Sequence, residues 1–136
     1  MVRVLAWLQA AILSVNGLAM LFAGLWWYGA VPGVTATGPY NPHFVRDIGA
    51  AYLVAGLSHA AFAVRPRQAW PALVAAAGFL TLHAAIHVFD SVCGTRPLQD
   101  FVRDFAGIYL LAFIAVGLAL AAAPNPRETV HAQSPA

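Results

Sequence analysis

Four long apolar runs constrain the fold of this chain more than any other feature. They cover residues 4–28, 48–64, 70–89 and 105–123. A helix of about 20 apolar residues is long enough to cross the hydrocarbon core of a bilayer. Lipid offers the backbone no hydrogen-bond partners, so a spanning segment must satisfy its own peptide groups as a helix. The sequence predicts an all-α integral membrane four-helix bundle over residues 1–123 and a polar cytoplasmic tail over residues 124–136.

The composition supports lipid as the solvent of these runs. Hydrophobic residues make up 61% of the chain and charged residues 9%, whereas soluble domains carry about 25% charged residues. The cations are all arginine and form no basic stripe, which excludes a nucleic-acid-binding protein. The single cysteine excludes an internal disulfide and paired-cysteine metal motifs. The first run is longer than the 7–15 apolar residues of a signal peptide, so we interpret it as a retained span.

The distribution of charge predicts the orientation of the chain. Four crossings place the N-terminus, the second loop and the tail on one side, with Arg3, Arg65, Arg67 and Arg127 against Glu128. The other side holds Arg46, Arg96 and Arg103 against Asp47, Asp90, Asp100 and Asp104. By the positive-inside rule, both termini are cytoplasmic. The alanine-rich, lysine-free composition points to a bacterial inner membrane.

An internal repeat relates the second and fourth spans. The segments 44–55 and 101–112 share Phe-Val-Arg-Asp, then a small-residue pair, Tyr-Leu and Ala at matching places. Both enter the membrane from the same side, which predicts two pseudo-symmetric helical hairpins. Structural roles follow for the two Arg-Asp pairs, Arg46-Asp47 and Arg103-Asp104. We expect crossed ion pairs, Arg46 with Asp104 and Arg103 with Asp47.

Polar side chains inside the spans are the candidates for function, because their burial in lipid is costly. His83, His87 and Asp90 follow one another at i, i+4 and i+7 and therefore share one helix face. Counting about 1.5 Å per residue places His59 at about the depth of His83, with Asn16 near the same level. The outer half of the bundle is expected to hold nearly all the polar candidates.

Three interpretations of these residues remain open. In the first, they are structural groups that form hydrogen bonds between helices, as we expect for Asn16. In the second, they are ligands of a cofactor. In the third, they line a polar pathway or pocket at the outer face. As ligands, His59 and His83 would hold a b-type haem. Alternatively, His43, His87 and Asp90, together with His83, would hold a divalent metal ion. The sequence contains no nucleophile, base and orienting group in a recognisable pattern, so hydrolytic catalysis is not expected.

The layout resembles the DoxX-like group of small four-helix bacterial membrane proteins. The resemblance lies in the stretch from Arg46 to Leu57, Arg-Asp-Ile-Gly-Ala-Ala-Tyr-Leu-Val-Ala-Gly-Leu, and in the turn marked by Asp90, Gly94 and Pro97. It covers about half of the chain. It implies an accessory role in the membrane, alone, as a homo-oligomer or within a larger complex, and implies nothing for the histidines of the third span.

Overall fold

The computed structural model describes residues 1–94 and 97–124, and within these ranges the chain is helical without strands. A 3₁₀ turn, Val34–Thr37, lies in the first long loop, and a π-helical segment, Phe105–Tyr109, separates the last two helices. The helices are α1 (Val2–Phe22), α2 (Gly24–Ala30), α3 (Pro42–Val64), α4 (Pro66–Cys93), α5 (Pro97–Asp104) and α6 (Leu110–Ala121).

The prediction of an all-helical chain with four membrane-spanning lengths is confirmed. Four helical stretches are long and apolar enough to cross a bilayer: Val2–Phe22, Pro42–Val64, Pro66–Cys93 and Leu98–Ala121. Many large apolar side chains point outward, including Phe22 at 83%, Leu82 at 70% and Phe113 at 67% exposure. Such a surface is stable against lipid and not against water, since monomeric soluble proteins rarely expose large contiguous apolar patches.

Several helices begin or end away from the predicted span boundaries, each for a local reason. The first span does not run unbroken to Tyr28, because Ala23 leaves the helical conformation at φ −131° and ψ 36°. The second span begins at Pro42 rather than Ile48, since the Asn41 side chain accepts hydrogen bonds from the backbone N–H groups of His43 and Phe44. This cap, with proline at the first helical position, starts the helix earlier than hydropathy indicates.

The third and fourth spans also begin earlier than predicted. The third starts at Pro66, which places Pro71 inside α4. The fourth starts in α5, ahead of the predicted Phe105, and helix α6 ends at Ala121. Of the predicted polar tail, only Pro124 falls within the described residues.

The helices pack in the order α1, α3, α4 and α6, with α6 returning to α1. Helices α1 and α3 approach each other closely. A Cβ atom added to Gly17 would lie 2.7 Å from both the Gly49 oxygen and the Leu53 nitrogen, and one added to Gly49 would lie 2.7 Å from Met20 Cβ. Small residues at such crossings let two backbones approach and gain van der Waals contact where lipid supplies no hydrophobic driving force.

The two ends of the molecule carry different connections. The loop end carries the long connection 31–41 and the start of α5, and the hairpin end carries the tight turn at Arg65 between α3 and α4. At the hairpin end, the Trp70 indole nitrogen donates to the Ala119 carbonyl at 2.9 Å. This carbonyl lies in the last turn of α6, where the helix provides no partner.

The close crossing predicts a difference between two glycine substitutions. Gly17→Ala should lower the free energy of unfolding by about 2 kcal/mol, because the added methyl group overpacks the α1–α3 contact. Gly117→Ala is the matched control, since nothing lies within 4 Å of its Cβ position. The control should be neutral or stabilising by up to about 1 kcal/mol through helix propensity. Reversible unfolding of both variants in mixed detergent micelles measures this difference, and equal effects would contradict the packing described.

Candidate functional site

Asp104 is the centre of a polar cluster at the loop end, and it is almost completely buried. Its Oδ2 atom lies 2.8 Å from His87 Nδ1 on α4. Arg103 donates to both carboxylate oxygens, from Nε at 2.6 Å and from Nη2 at 3.0 Å. Such a bidentate contact is stronger than a single hydrogen bond between an arginine and a carboxylate. Asp104 therefore joins the fourth span to α4 through charged hydrogen bonds.

Arg103 is fixed on two further sides. Its Nη1 atom donates to Asp100 Oδ1 at 2.6 Å, one turn earlier in α5. The guanidinium also lies directly against the backbone of Gly33, whose φ is +88°, so that a Cβ there would lie 2.6 Å from Arg103 Nε. Only glycine accepts both this left-handed conformation and this contact. The long connection at the loop end thus covers one side of the cluster.

The expected crossed ion pairs are absent, and this prediction is wrong. Arg103 pairs with Asp100 and Asp104 of its own segment rather than with Asp47. Asp47 lies 3.4 Å from His43, one turn back in α3, and its side chain is 61% exposed against 8% for Asp104. Arg46 is exposed. The equivalent aspartates of the proposed repeat therefore occupy different environments.

Four imidazole and aromatic rings in contact with one another extend from this cluster toward the middle of the molecule. The rings of His87 and His83 lie with centroids 4.8 Å apart at an angle of 62°. His83 then packs edge-to-face on Tyr52 at 5.6 Å and stacks on Phe79 at 6.0 Å. Tyr52 is 5% exposed. The shared helix face predicted for His83 and His87 thus brings their rings into contact.

His59 is not at the depth of His83, so the predicted pair of haem ligands is not assembled. The residue of α3 that meets His83 is Tyr52. His59 follows it by two helical turns, which is about 10 Å along the axis. The count from the sequence assumed that α3 begins at Ile48, whereas it begins six residues earlier. This error moved His59 too close to the loop end.

The predicted metal set is not assembled either. His87 bonds to Asp104 and His43 faces Asp47, while Asp90 is exposed near the end of α4. Within residues 1–94 and 97–124, no group of three or more His, Cys, Asp or Glu side chains is placed to hold a metal ion. Asn16, predicted near the same centre, instead accepts a hydrogen bond from the Trp27 indole at 2.9 Å and so ties α2 back to α1.

A second group of buried polar side chains, His59 and Gln9, lies toward the hairpin end and forms a second polar level. The sequence predicted mainly apolar packing there. His59 is fully buried, and its Nδ1 atom lies 2.8 Å from the Ala55 carbonyl. A carbonyl only accepts, so Nδ1 carries the proton and Nε2 the lone pair. This Nε2 atom has no partner among the described residues.

Gln9 belongs to this second level and was missed by the sequence predictions. Its amide nitrogen donates to the Leu111 carbonyl at 2.8 Å, while its buried Oε1 atom has no partner in the described chain. Because α1 and α3 are antiparallel and Gly56 meets Ala10 and Ser14, His59 lies at about the level of Gln9. The available signal was an amide side chain in the middle of an apolar run, the same signal that identified Asn16.

Comparison with protein-family models, with curated proteins and with solved structures finds no match to this chain.

The two aspartates of the repeated motif provide a test of the cluster. Asp104→Asn should lower the free energy of unfolding by about 2 kcal/mol, because it weakens charged hydrogen bonds to two partners in a buried setting. Asp47→Asn should change it by less than about 0.5 kcal/mol, since exposed pairs contribute little. Chemical unfolding in detergent followed by circular dichroism measures both, and equal losses would show that Asp104 does not hold the fourth span to α4.

Proposed function

We propose that the chain is a small accessory protein of a bacterial inner membrane that binds a small ligand at its loop end. In this proposal, the four spans form a bundle of two related hairpins and both termini are cytoplasmic. The resemblance to the DoxX-like group supports an accessory role rather than a particular reaction. The observation that carries the ligand-binding role is the hydrogen bond between His87 Nδ1 and Asp104.

This hydrogen bond leaves one ring atom of His87 free to bind. With Nδ1–H held by the carboxylate, a neutral His87 has its lone pair on Nε2, in the arrangement in which a carboxylate orients an imidazole. The His87 side chain is 28% exposed, so it can be reached from outside, whereas Asp104 is 8% exposed and stays fixed. The carboxylate is a positioning group and the imidazole is the contact group.

The charge of the cluster selects the kind of ligand. Arg103 supplies one positive charge against two negative charges from Asp100 and Asp104, and all three nitrogens of its guanidinium are already bonded to these carboxylates. With a neutral His87, the described residues of the cluster carry a net negative charge and a free acceptor. A cation or a hydrogen-bond donor fits this site better than an anion.

The second candidate function is a metal-binding membrane subunit that supports electron transfer or oxidation. It is favoured by the contact between the His83 and His87 rings, because imidazole is a common ligand of transition metals. His59 and His83 lie at different levels, so they do not form a pair of haem ligands.

The proposed orientation predicts which side of the membrane Cys93 faces. Cys93 is exposed at the loop end of α4, so a membrane-impermeant maleimide should label it in intact spheroplasts. Cys93→Ala with Arg65→Cys moves the only thiol to the hairpin end and should be labelled only after permeabilisation. The opposite pattern would reverse the topology without affecting the proposed binding site.

Ligand binding is tested with the purified chain in detergent and a panel of ligand classes. Divalent metal ions, polyamines, quinone analogues and inorganic anions are added in turn, and the unfolding midpoint Tm is measured. A ligand present at about 100 times its Kd stabilises the native state by about 2.7 kcal/mol, which is a shift of several degrees. At least one cationic or hydrogen-bond-donating class should raise Tm.

The matched variants decide where the ligand binds. The shift in Tm should disappear in His87→Gln and persist in His43→Gln, which changes an exposed histidine at the same end. No shift with any class, or a shift that survives His87→Gln, would contradict the proposal.

A further inference from the structure

We propose that His83 and His87 form a two-histidine binding site for a divalent transition metal ion, with Asp104 as the group that orients His87. This inference rests on the proposed function, because it names the ligand class of the same site. It differs from the metal set predicted from the sequence, which also included His43 and Asp90.

The geometry of the pair is that of two ligands on one helix face. Residues four apart in a helix lie one above the other, and here the ring centroids lie 4.8 Å apart. Two histidines at this spacing bind zinc from a single helix in known metalloenzyme motifs. The proximity of the rings supports a single ion shared between them.

Each of the two rings has a nitrogen atom available for this role. Asp104 holds Nδ1 of His87 and leaves Nε2 free. Within the described part of the chain, His83 is held by ring contacts with Tyr52 and Phe79, and no hydrogen bond involves its ring nitrogens. Packing therefore fixes the His83 ring without using the atoms that would bind a metal.

The groups around the pair match those that support metal-binding histidines. A ligating histidine almost always donates its other N–H to a carboxylate, carbonyl or water, and loss of that partner typically costs 10–100-fold in metal affinity. Asp104 is in this position, and the excess negative charge of Asp100 and Asp104 over Arg103 favours a cation.

The number of protein ligands determines the kind of metal site. The described residues contain no third His, Cys, Asp or Glu that completes a closed group, so water or a small ligand must fill the other positions. Structural zinc sites are closed by four protein ligands, whereas open sites exchange what they bind. Two imidazoles favour Cu²⁺ over Ni²⁺ and Zn²⁺ in the general order of affinities.

The test uses the full chain in detergent, with any affinity tag removed and metal stripped by a chelator. Cu²⁺ and Zn²⁺ are titrated separately by equilibrium dialysis, and the Cu²⁺ complex is examined by electron paramagnetic resonance. We expect about one tightly bound equivalent of Cu²⁺ and a spectrum with coupling to two imidazole nitrogens.

The variants separate this site from other histidines. His83→Phe and His87→Gln should each weaken binding at least tenfold and remove the two-nitrogen signal, while Asp104→Asn should weaken binding about tenfold. The double variant His43→Gln/His131→Gln is the matched control, because it removes two histidines outside the pair, and should bind as the parent chain does. Circular dichroism and size-exclusion profiles establish that each variant is folded.

Three outcomes would overturn the inference: no stoichiometric binding by the parent chain, unchanged binding in folded His83→Phe and His87→Gln, or loss of binding in the control. If metals fail while another ligand class raises Tm in a His87-dependent way, this inference falls and the proposed function stands. If neither metals nor any other class binds, both fall.

Discussion

The cost of leaving a polar group unpaired in an apolar environment governs the arrangement around Asp104. Its carboxylate is buried at the loop end and accepts from His87 and twice from Arg103. In lipid, the alternative to these bonds is a desolvated charge, which costs far more than the bonds contribute in net terms. The position of the fourth span against α4, the orientation of the His87 ring and the contact of Arg103 with Gly33 all depend on this one carboxylate.

The interactions that join the two helices of a hairpin differ between the two proposed hairpins. Backbone contact at Gly17, Gly49 and Gly56 joins α1 to α3. The fourth span instead contacts α4 through polar groups, with His87–Asp104 at one end and the Trp70 indole on the Ala119 carbonyl at the other. Its π-helical segment begins directly after Asp104. Single π turns inside helices are frequent at functional sites, and this one has no counterpart at the equivalent position in α3.

Hydropathy could predict the number and type of the spans, because lipid leaves the backbone almost no alternative to the helix. It could not place their ends, which depend on local chemistry such as the Asn41 cap, and an error of six residues there displaced His59 by more than one turn. The ion-pair partner of Arg103 could not be predicted from the sequence either. Consecutive residues do not face each other on a helix, so pairing of Arg103 with Asp104 requires the long side chain to fold back. The contact of His83 with His87 was predictable, because both lie on one unbroken helix.

The two polar levels differ in what they can exchange with their surroundings. Gln9 and His59 each present a buried acceptor, but His59 is 0% exposed and is enclosed by packed helices. A ligand could reach it only if the packed helices separated. His87 is partly exposed, its ring is held from one side by Asp104, and His83 lies beside it. Reversible binding is favoured by a lone pair that is both oriented and accessible, so the ligand site we propose is at the loop end rather than at the buried level.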